Sequence, residues 1–335
     1  MDSTFYVQWH ITDSCNLRCR HCYQDETSKE KELDWAGLKG ICDRLLPTLT
    51  EWDRGACIHV TGGEPLLKPE LFPLLQHLDR QAIVEELGII TNGVFLDGER
   101  AGKLAGIRKL KTIKISLDGG DPETNDSIRS AGSFDAVMRN LPAIAGGERF
   151  QVFLMFTAMK TNYRNLPSLI SLARDSRASG VIIERFVPWG RGRAIRGEVL
   201  EKSQWKEMVE SLYDLFEVEP EEDGFNPYQA FQVDFRGGDG ELKGAPCVIG
   251  EDGLCVMPDG TVFPCRRFPV SIGSLRENSL KEIWEESGLL ASLRQKHNLE
   301  GKCGRCAREG CTGCRSLAYA LTGDFFAEDP HCFSD

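Results

Sequence analysis

No stretch of this chain is apolar for long enough to cross a bilayer. The longest nearly apolar run, FQVFLMFTAM at 150–159, falls far short of the ~20 residues a spanning helix needs. The N-terminal MDSTFYVQWH lacks the basic and apolar regions of a secretory signal, so a cytoplasmic protein is expected. Positive charge is also in deficit. Forty lysines and arginines stand against 51 aspartates and glutamates, a net charge of −11, and a surface of that sign repels phosphate backbones; neither nucleic acid nor a membrane is an expected partner. No solenoid repeat or low-complexity tract is visible. Cysteine, by contrast, is plentiful: 13 of 335 residues. Without an export signal, that number points to metal or redox chemistry in a reducing compartment rather than to a disulfide framework. The length allows two domains, or one barrel with an appendage.

Up to about residue 190, strand-like apolar runs alternate with helical patterns. FYVQWHI (5–11), ACIHV (56–60), LGIIT (87–91), TIKISL (112–117), FQVFLMFTAM (150–159) and VIIERFV (181–187) read as six strands. Asp34 is placed to cap a helix whose Leu38, Ile41, Cys42 and Leu45 share a face, and Pro69 opens another with Leu71, Leu74, Leu75 and Leu78 on one side. Repeated βα units imply a parallel sheet, so the expected fold is α/β, a partial (β/α)6 TIM-type barrel. A helix from near Ser203, carrying Trp205, Met208, Leu212 and Leu215, closes this unit at 1–216. Residues 217–246 are acidic, Gly-rich and weakly periodic, and read as a bridging segment; 247–335 form a small cysteine-rich domain. In barrels of this kind, ligands gather where strands end and loops begin. Five distinctive loops fall there: the one holding Cys15, TGGEP (61–65), TNG (91–93), SLDG (116–119) and PWGRGR (188–193).

Residues 15–22, CNLRCRHC, set Cys15, Cys19 and Cys22 in a CxxxCxxC run. Three thiolates in a tight loop can hold three irons of a 4Fe–4S cube and leave the fourth without a protein ligand, whereas electron carriers normally close all four corners with cysteine. Zinc sites favour CxxC pairs and bacterial ferredoxins use CxxCxxC, so the step from Cys15 to Cys19 fits neither well. In Gly62, Gly63, Glu64 and Pro65, the glycines let the backbone approach a ligand closely and the carboxylate suits an ammonium; the same string also suits a tight strand-to-helix turn.

CxxxCxxC followed by GGEP resembles the radical S-adenosylmethionine (SAM) enzymes. The resemblance implies that the methionine part of SAM chelates the open iron and that the GGEP backbone and Glu64 receive its ammonium. Ser116 and Arg129, in the SLDG and IR strings, correspond to partners of its carboxylate, a geometry that suits a guanidinium fork. Arg129 could equally serve a helix-surface ion pair. Asn92 and Asp118 would shape the ribose or adenine pocket. His21 stands where the family has an aromatic near the adenine, or merely fills the loop. One electron from the reduced cube would then break the bond from sulfur to the 5′-carbon, releasing a 5′-deoxyadenosyl radical able to take hydrogen from an unactivated C–H bond. The protein's part is to position that radical and exclude water. An external electron donor of flavodoxin or ferredoxin type is implied.

Eight cysteines follow residue 246: Cys247, Cys255, Cys265, Cys303, Cys306, Cys311, Cys314 and Cys332. On its own the run from Cys303 to Cys314 could be a zinc ribbon. With Cys247-x12-Gly260-x4-Cys265 ahead of it, it resembles the SPASM extension of radical SAM enzymes, which holds two auxiliary 4Fe–4S clusters and so implies three in all. The PDG at 258–260 would turn a hairpin returning Cys265 toward Cys247. The chain departs from the family in having four and two residues, rather than five and three, in its last two intervals between Cys306 and Cys314. By the resemblance, Cys303, Cys306, Cys311 and Cys332 hold an outer cluster, and Cys247, Cys265 and Cys314 an inner one. Cys255 is either the inner cluster's fourth thiolate or a core residue of the strand LCVM. Cys42 and Cys57 read as buried hydrophobes.

SPASM enzymes mostly modify ribosomally made peptides or proteins, and a minority act on tetrapyrroles. Modification of a peptide or protein by C–H abstraction is the leading expectation, with editing of haem-precursor side chains the alternative. From a different class, a multi-cluster electron carrier or a zinc-stabilised binding protein is retained. Sulfatase-maturing relatives carry an aspartate base after the cysteine equivalent to Cys265; Arg266 and Arg267 stand here instead. The first strand begins by residue 5, so recognition of a peptide leader is expected from a separate leader-binding protein or from another surface. Arg191, Arg193 and Arg196 are suited to porphyrin propionates or peptide carboxylates, or are solvated loop charges; VPWGRGR also resembles SPASM enzymes that edit haem-type side chains.

Overall fold

The computed structural model describes residues 4–25, 30–245, 247–308 and 310–334. Alternation along the first strand sets the layering. In β1 (Phe5–His10), Phe5, Val7 and Trp9 are fully buried on the helix side, while Tyr6, Gln8 and His10 face the opposite way, into the barrel lumen. Five further strands follow with the same handedness of placement: β2 (Ala56–Thr61), β3 (Val84–Thr91), β4 (Leu110–Ser116), β5 (Gln151–Ala158) and β6 (Gly180–Arg185). All six are parallel and lie side by side in chain order.

The crossovers are α1 (Trp35–Glu51), α2 (Leu71–Asp79), α3 (Gly98–Ala105), the pair α4 (Pro122–Ile128) and α5 (Ser133–Asn140), and α6 (Leu166–Asp175). Their starts are written locally. Asp34, Asp97 and Asp121 each accept a hydrogen bond from the backbone of the first turn of α1, α3 and α4, worth about 1 kcal/mol per cap. Leu38, Ile41, Cys42 and Leu45 of α1, and Leu71, Leu74, Leu75 and Leu78 of α2, are buried as their spacing requires. Each such side chain contributes roughly 1.5–3 kcal/mol of burial. In α7 (Lys202–Phe216), Leu215 is exposed rather than on the apolar face.

Beyond α7 the structure departs from the expected bridge. Residues 217–246 include β7 (Ala230–Asp234) and β8 (Glu241–Ala245), an antiparallel pair that extends the sheet past β6. Strands of five residues present only Phe231, Val233 and Leu242 to the core, too few for a periodic signal. The acidic run Glu219, Glu221, Glu222 and Asp223 is exposed. On the opposite edge β9 (Gly253–Val256) pairs parallel with β1, and β10 (Thr261–Phe263) and β11 (Gly273–Ser274) follow antiparallel. The expected hairpin is present: Met257 N donates to Thr261 O at 2.8 Å, and Gly260 takes φ +86°. The cysteine-rich region is therefore joined to the barrel through one 11-stranded sheet. It is completed by α8 (Leu280–Glu286), α9 (Gly288–Leu293), α10 (Gly301–Arg305) and α11 (Arg315–Thr322). The sheet curls enough that Gln8, Thr61, Thr91, Ser116, Thr157 and Glu184, one from each of β1 to β6, line a single cavity. Among the described residues no helix is long and apolar enough to cross a membrane.

Candidate active site

The cavity at the C-terminal ends of the strands is walled on one side by the loop after β1, which carries Cys15, Cys19 and Cys22. Burial pushes the Cys19 thiol up to about 11; Arg129 draws it down, and the neighbouring Cys22 and Cys15 push it further up. Cys15 is raised by the same burial. Leu17 N points at Cys15 Sγ (3.4 Å). Thiols grouped so that Cys22 opposes ionisation of both Cys15 and Cys19 fit a soft, highly charged metal group that relieves the repulsion.

Two glycines clasp this loop. At Gly62, which takes φ +151°, a Cβ would lie 2.3 Å from Thr12 O; at Gly63 it would lie 2.3 Å from Ser14 O. Their absence lets Gly63 N reach Thr12 O at 2.7 Å and Glu64 N reach Ser14 O at 2.8 Å. Pro65 begins a short 3-10 turn and is buried. Glu64 is fully buried and stands behind the glycines rather than on the cavity wall. Its Oε1 accepts from Thr91 Oγ1 (2.8 Å) and Leu66 N (3.1 Å), and its Oε2 from Asn92 N (2.8 Å). Burial pushes its carboxyl up to about 7 despite these donors. Oε2 keeps a lone pair for one more donor. Asn92 does line the cavity, but its Nδ2 is committed to Asn16 Oδ1 (2.8 Å) and lies 3.9 Å from Cys15 Sγ, so it ties the TNG loop to the cysteine loop.

Ser116 and Arg129 line the same cavity. Arg129 is buried, which removes the helix-surface reading. Its Nη2 pairs with Asp118 Oδ2 at 2.8 Å and its Nη1 lies 3.9 Å from Cys19 Sγ. Asp118 is not on the cavity wall. It sits behind it, fully buried, taking Thr157 N on Oδ1 (2.9 Å) and His21 Nε2 against Oδ2 (3.2 Å). From there it holds Arg129 and His21. His21 lines the cavity, and burial lowers its imidazole to about 4, so the ring is neutral at ordinary pH.

The PWGRGR loop closes over the cysteine loop, with Gly192 N donating to Cys22 O at 3.0 Å. Of Arg191 and Arg193 in this loop and Arg196 just after it, only Arg191 reaches the cavity. Arg193 is exposed beside Asp25, and Arg196 is turned to Leu321 O. Residues that the sequence reading passed over complete the wall: Gln8, Tyr23, Glu184 and Arg185, together with Arg266 and Arg267. Arg266 pairs with Glu184 and donates to Gln8 Oε1 (2.9 Å). Burial would raise Glu184, but Arg266 and Arg267 overcome it and hold the carboxyl at about 2. The available signal was polar residues at alternate positions in otherwise apolar strands, Tyr6, Gln8 and His10 in β1 and Glu184 in β6.

The late cysteines fall into two neighbourhoods. Cys303, Cys306, Cys311 and Cys332 line one pocket. Burial and the other three thiols push Cys311 up to about 11. Backbone N–H groups of Arg308 and Asp329 point at Cys306 and Cys303 Sγ, each at 3.4 Å. Cys247, pushed to about 12 by burial, has Cys265 and Cys314 as its thiol neighbours. Cys255 is almost wholly buried in β9 and is raised well above the ordinary thiol range by burial, with Cys265 as its neighbour. Asp329 spans the two neighbourhoods: it receives Cys314 N at 2.5 Å and pairs with Arg185 at 2.9 Å.

Comparison with known proteins agrees with this arrangement. A sequence model of the radical SAM superfamily matches residues 9–160, and one of an iron-sulfur cluster-binding domain, SPASM, matches 247–307. The chain is 28% identical over 352 residues to the AdoMet-dependent heme synthase of Methanosarcina barkeri, covering 97% of this chain and 95% of that one. It is 30% identical over 362 residues to the Fe-coproporphyrin III synthase of the same organism (98% and 87%). It is 28% identical over 345 residues to the mycofactocin maturase MftC of Mycobacterium tuberculosis (99% and 83%). Among solved structures, anSMEcpe with bound AdoMet has the same fold, with a TM-score of 0.74 at 17% identity over 98% of this chain and 90% of that one. With both models matched and a relative 30% identical along nearly its whole length, the chain belongs to the radical SAM enzymes of the SPASM subgroup.

Proposed function

We propose that this enzyme edits the carboxylate-bearing side chains of a tetrapyrrole, a haem precursor, by SAM-dependent hydrogen abstraction. The observation that carries this reading is the charge of the cavity wall. Arg129, Arg185, Arg191, Arg266 and Arg267 line it, with Glu184 as the lining carboxylate and Asp118 and Asp329 behind. Arg185 Nε and Nη2 and Arg267 Nε are buried without a partner among the described residues. A substrate with several propionates supplies the acceptors this wall calls for. The whole-length similarity to enzymes named for heme and Fe-coproporphyrin III synthesis supports it.

In this reading Cys15, Cys19 and Cys22 hold the SAM-binding cluster. Cys303, Cys306, Cys311 and Cys332 hold an outer auxiliary cluster, and Cys247, Cys265 and Cys314, with Cys255 beside Cys265, an inner one, three in all. When bound and reduced, the SAM-binding cluster held by Cys15, Cys19 and Cys22 would supply one electron for cleavage of SAM to methionine and a 5′-deoxyadenosyl radical. Gly62, Gly63 and Glu64 receive the SAM ammonium, Ser116 and Arg129 its carboxylate, and His21 and Asn92 border its nucleoside. A cytoplasmic flavodoxin or ferredoxin supplies electrons.

The test is anaerobic incubation of iron-loaded enzyme, SAM and reductant with Fe-coproporphyrin III, following product mass and 5′-deoxyadenosine. Loss of mass from propionate side chains is expected; a tetramethyl ester should not react. An unchanged porphyrin would sink the tetrapyrrole reading. The second reading, modification of a ribosomally made peptide with a separate leader-binding protein, draws on the similarity to the mycofactocin maturase. It predicts turnover of a short precursor peptide instead.

A further inference from the structure

A second group of metal-ligating side chains lies at the far end of the barrel from the cysteine loop. Cys57 and His59 occupy lumen-facing positions of β2, and Glu86 lies opposite Cys57 on β3. One ligand atom from each, the thiol, a ring nitrogen and a carboxylate oxygen, lies within 4.8 Å of the other two. His59 Nε2 is 4.0 Å from Glu86 Oε1. None of the three belongs to the wall of the active-site cavity. Cys57 is accordingly not the plain buried hydrophobe its strand position suggested.

Two irregularities in the sheet aim these groups inward. Ala56 pairs with Val84, yet Cys57 pairs with Glu86, so Glu85 is an extra residue. In unbroken register Glu85 would face Cys57 and Glu86 would point to the helix layer. On the next ladder Leu87 pairs with Leu110 but Gly88 with Thr112. That shift brings Thr112 to the lumen, where its Oγ1 donates to Glu86 Oε1 at 2.7 Å. Opposite His59, a Cβ at Gly88 would lie 2.6 Å from the imidazole Cδ2 and 2.7 Å from Nε2, so only glycine leaves the ring its place. His59 Nδ1 is buried without a hydrogen-bond partner among the described residues. Two bulges and a cleared glycine, spent on grouping three polar side chains, are costly unless the group binds something.

We propose that Cys57, His59 and Glu86 bind one borderline divalent transition-metal ion, zinc being the best match, at the floor of the barrel. Thiolate, imidazole and carboxylate together suit zinc; magnesium and calcium would call for oxygen alone. Zinc bonds of about 2.0–2.3 Å place neighbouring ligand atoms roughly 3.3–3.8 Å apart, so the group closes by about 1 Å on binding. Glu86, which is half-buried and hinged on Thr112, can make that movement. The Cys57 thiol releases its proton as the metal–sulfur bond forms, and water takes the fourth position. The charge of Lys114 reaches both His59 and Glu86, which opposes a dication.

The experiment uses enzyme carrying its full iron complement, equilibrated anaerobically with Zn2+ and desalted, with zinc and iron counted per chain and the zinc absorption edge recorded. About one zinc is expected beyond that in Cys57→Ser, with one sulfur at about 2.3 Å and nitrogen or oxygen at about 2.0–2.1 Å. Thr112→Val should weaken binding about ten- to a hundredfold, Lys114→Met should strengthen it, and Cys42→Ser should leave it unchanged. Equal iron in all variants shows that each has folded. Equal zinc in wild type, Cys57→Ser and Glu86→Gln would overturn the proposal, as would a zinc shell of four sulfurs.

Discussion

Replacing Glu64 by glutamine removes a buried charge while keeping its shape, and the structure sets the consequences. The carboxyl is raised from 4.5 to about 7, burial outweighing three donors. In the SAM-free protein the folded state therefore binds this proton more tightly than the unfolded chain does. The associated stability is greatest below the ordinary carboxylate range and is lost as pH rises toward and past 7; a shift of this size corresponds to about 3 kcal/mol. A SAM ammonium resting on Oε2 reverses the preference by favouring the carboxylate. Only the ionised fraction is then competent, about a tenth at pH 6 and about two-thirds or more at pH 7.5. The SAM dissociation constant, measured by equilibrium binding to iron-loaded enzyme, should fall about five- to tenfold over that interval, with deprotonation of the SAM α-amino group, half complete near pH 8, opposing the trend only at its upper end. Glu64→Gln should bind about ten- to a hundredfold more weakly at pH 7.5, as expected for a lost hydrogen bond to a charged group, and should show no acid limb. A wild-type constant equal at pH 6 and 7.5, or an acid limb surviving in the variant, would refute the reasoning.

Asp118→Asn leaves the buried Arg129 without its counter-charge. It should cost about 3–5 kcal/mol, seen as a lower thermal midpoint and weaker SAM binding; an unmoved midpoint would count against the pairing. Glu184, held at about 2 by Arg266 and Arg267 against its burial, contributes about 3 kcal/mol above the ordinary carboxylate range, lost as pH falls from about 4.5 toward 2. Circular-dichroism melts of Arg266→Met should show a lower midpoint at pH 7 and a flattened acid dependence. Gly62→Ala forces a Cβ to within 2.3 Å of Thr12 O at a positive φ, and should unseat the cysteine loop and cost iron measured by elemental analysis. Cys311→Ser should remove about four irons per chain, and Cys42→Ser none; equal iron in the two would remove Cys311 from the ligands.

Much of the scaffold was open to sequence reasoning because its cause is local. All six parallel strands, the capped α1 and the α2 stripe appear close to where periodicity put them, since alternate burial leaves a pattern along the chain itself. The β7–β8 pair did not, because five-residue strands bury too little to leave one. In the site, the cysteines and glycines were legible as motifs, but the burden each residue carries was not. Both Glu64 and Asp118 stand behind the wall, where Glu64 holds Asn92 with one lone pair of Oε2 to spare and Asp118 holds Arg129.

The sequence by itself determined the chemistry on offer: which side chains can bind soft metal, where backbones can come close, and which faces are apolar. Spacing of a few residues is enough for that, because a loop ligand set and a helix stripe are both short-range. Tertiary structure alone decided what meets across long separations. Arg266 comes to Glu184, Asp329 to Arg185 and Cys314, and a bulge turns Glu86 toward Cys57. Those encounters depend on how the sheet curls and where its register slips, and neither is written in any one stretch of chain.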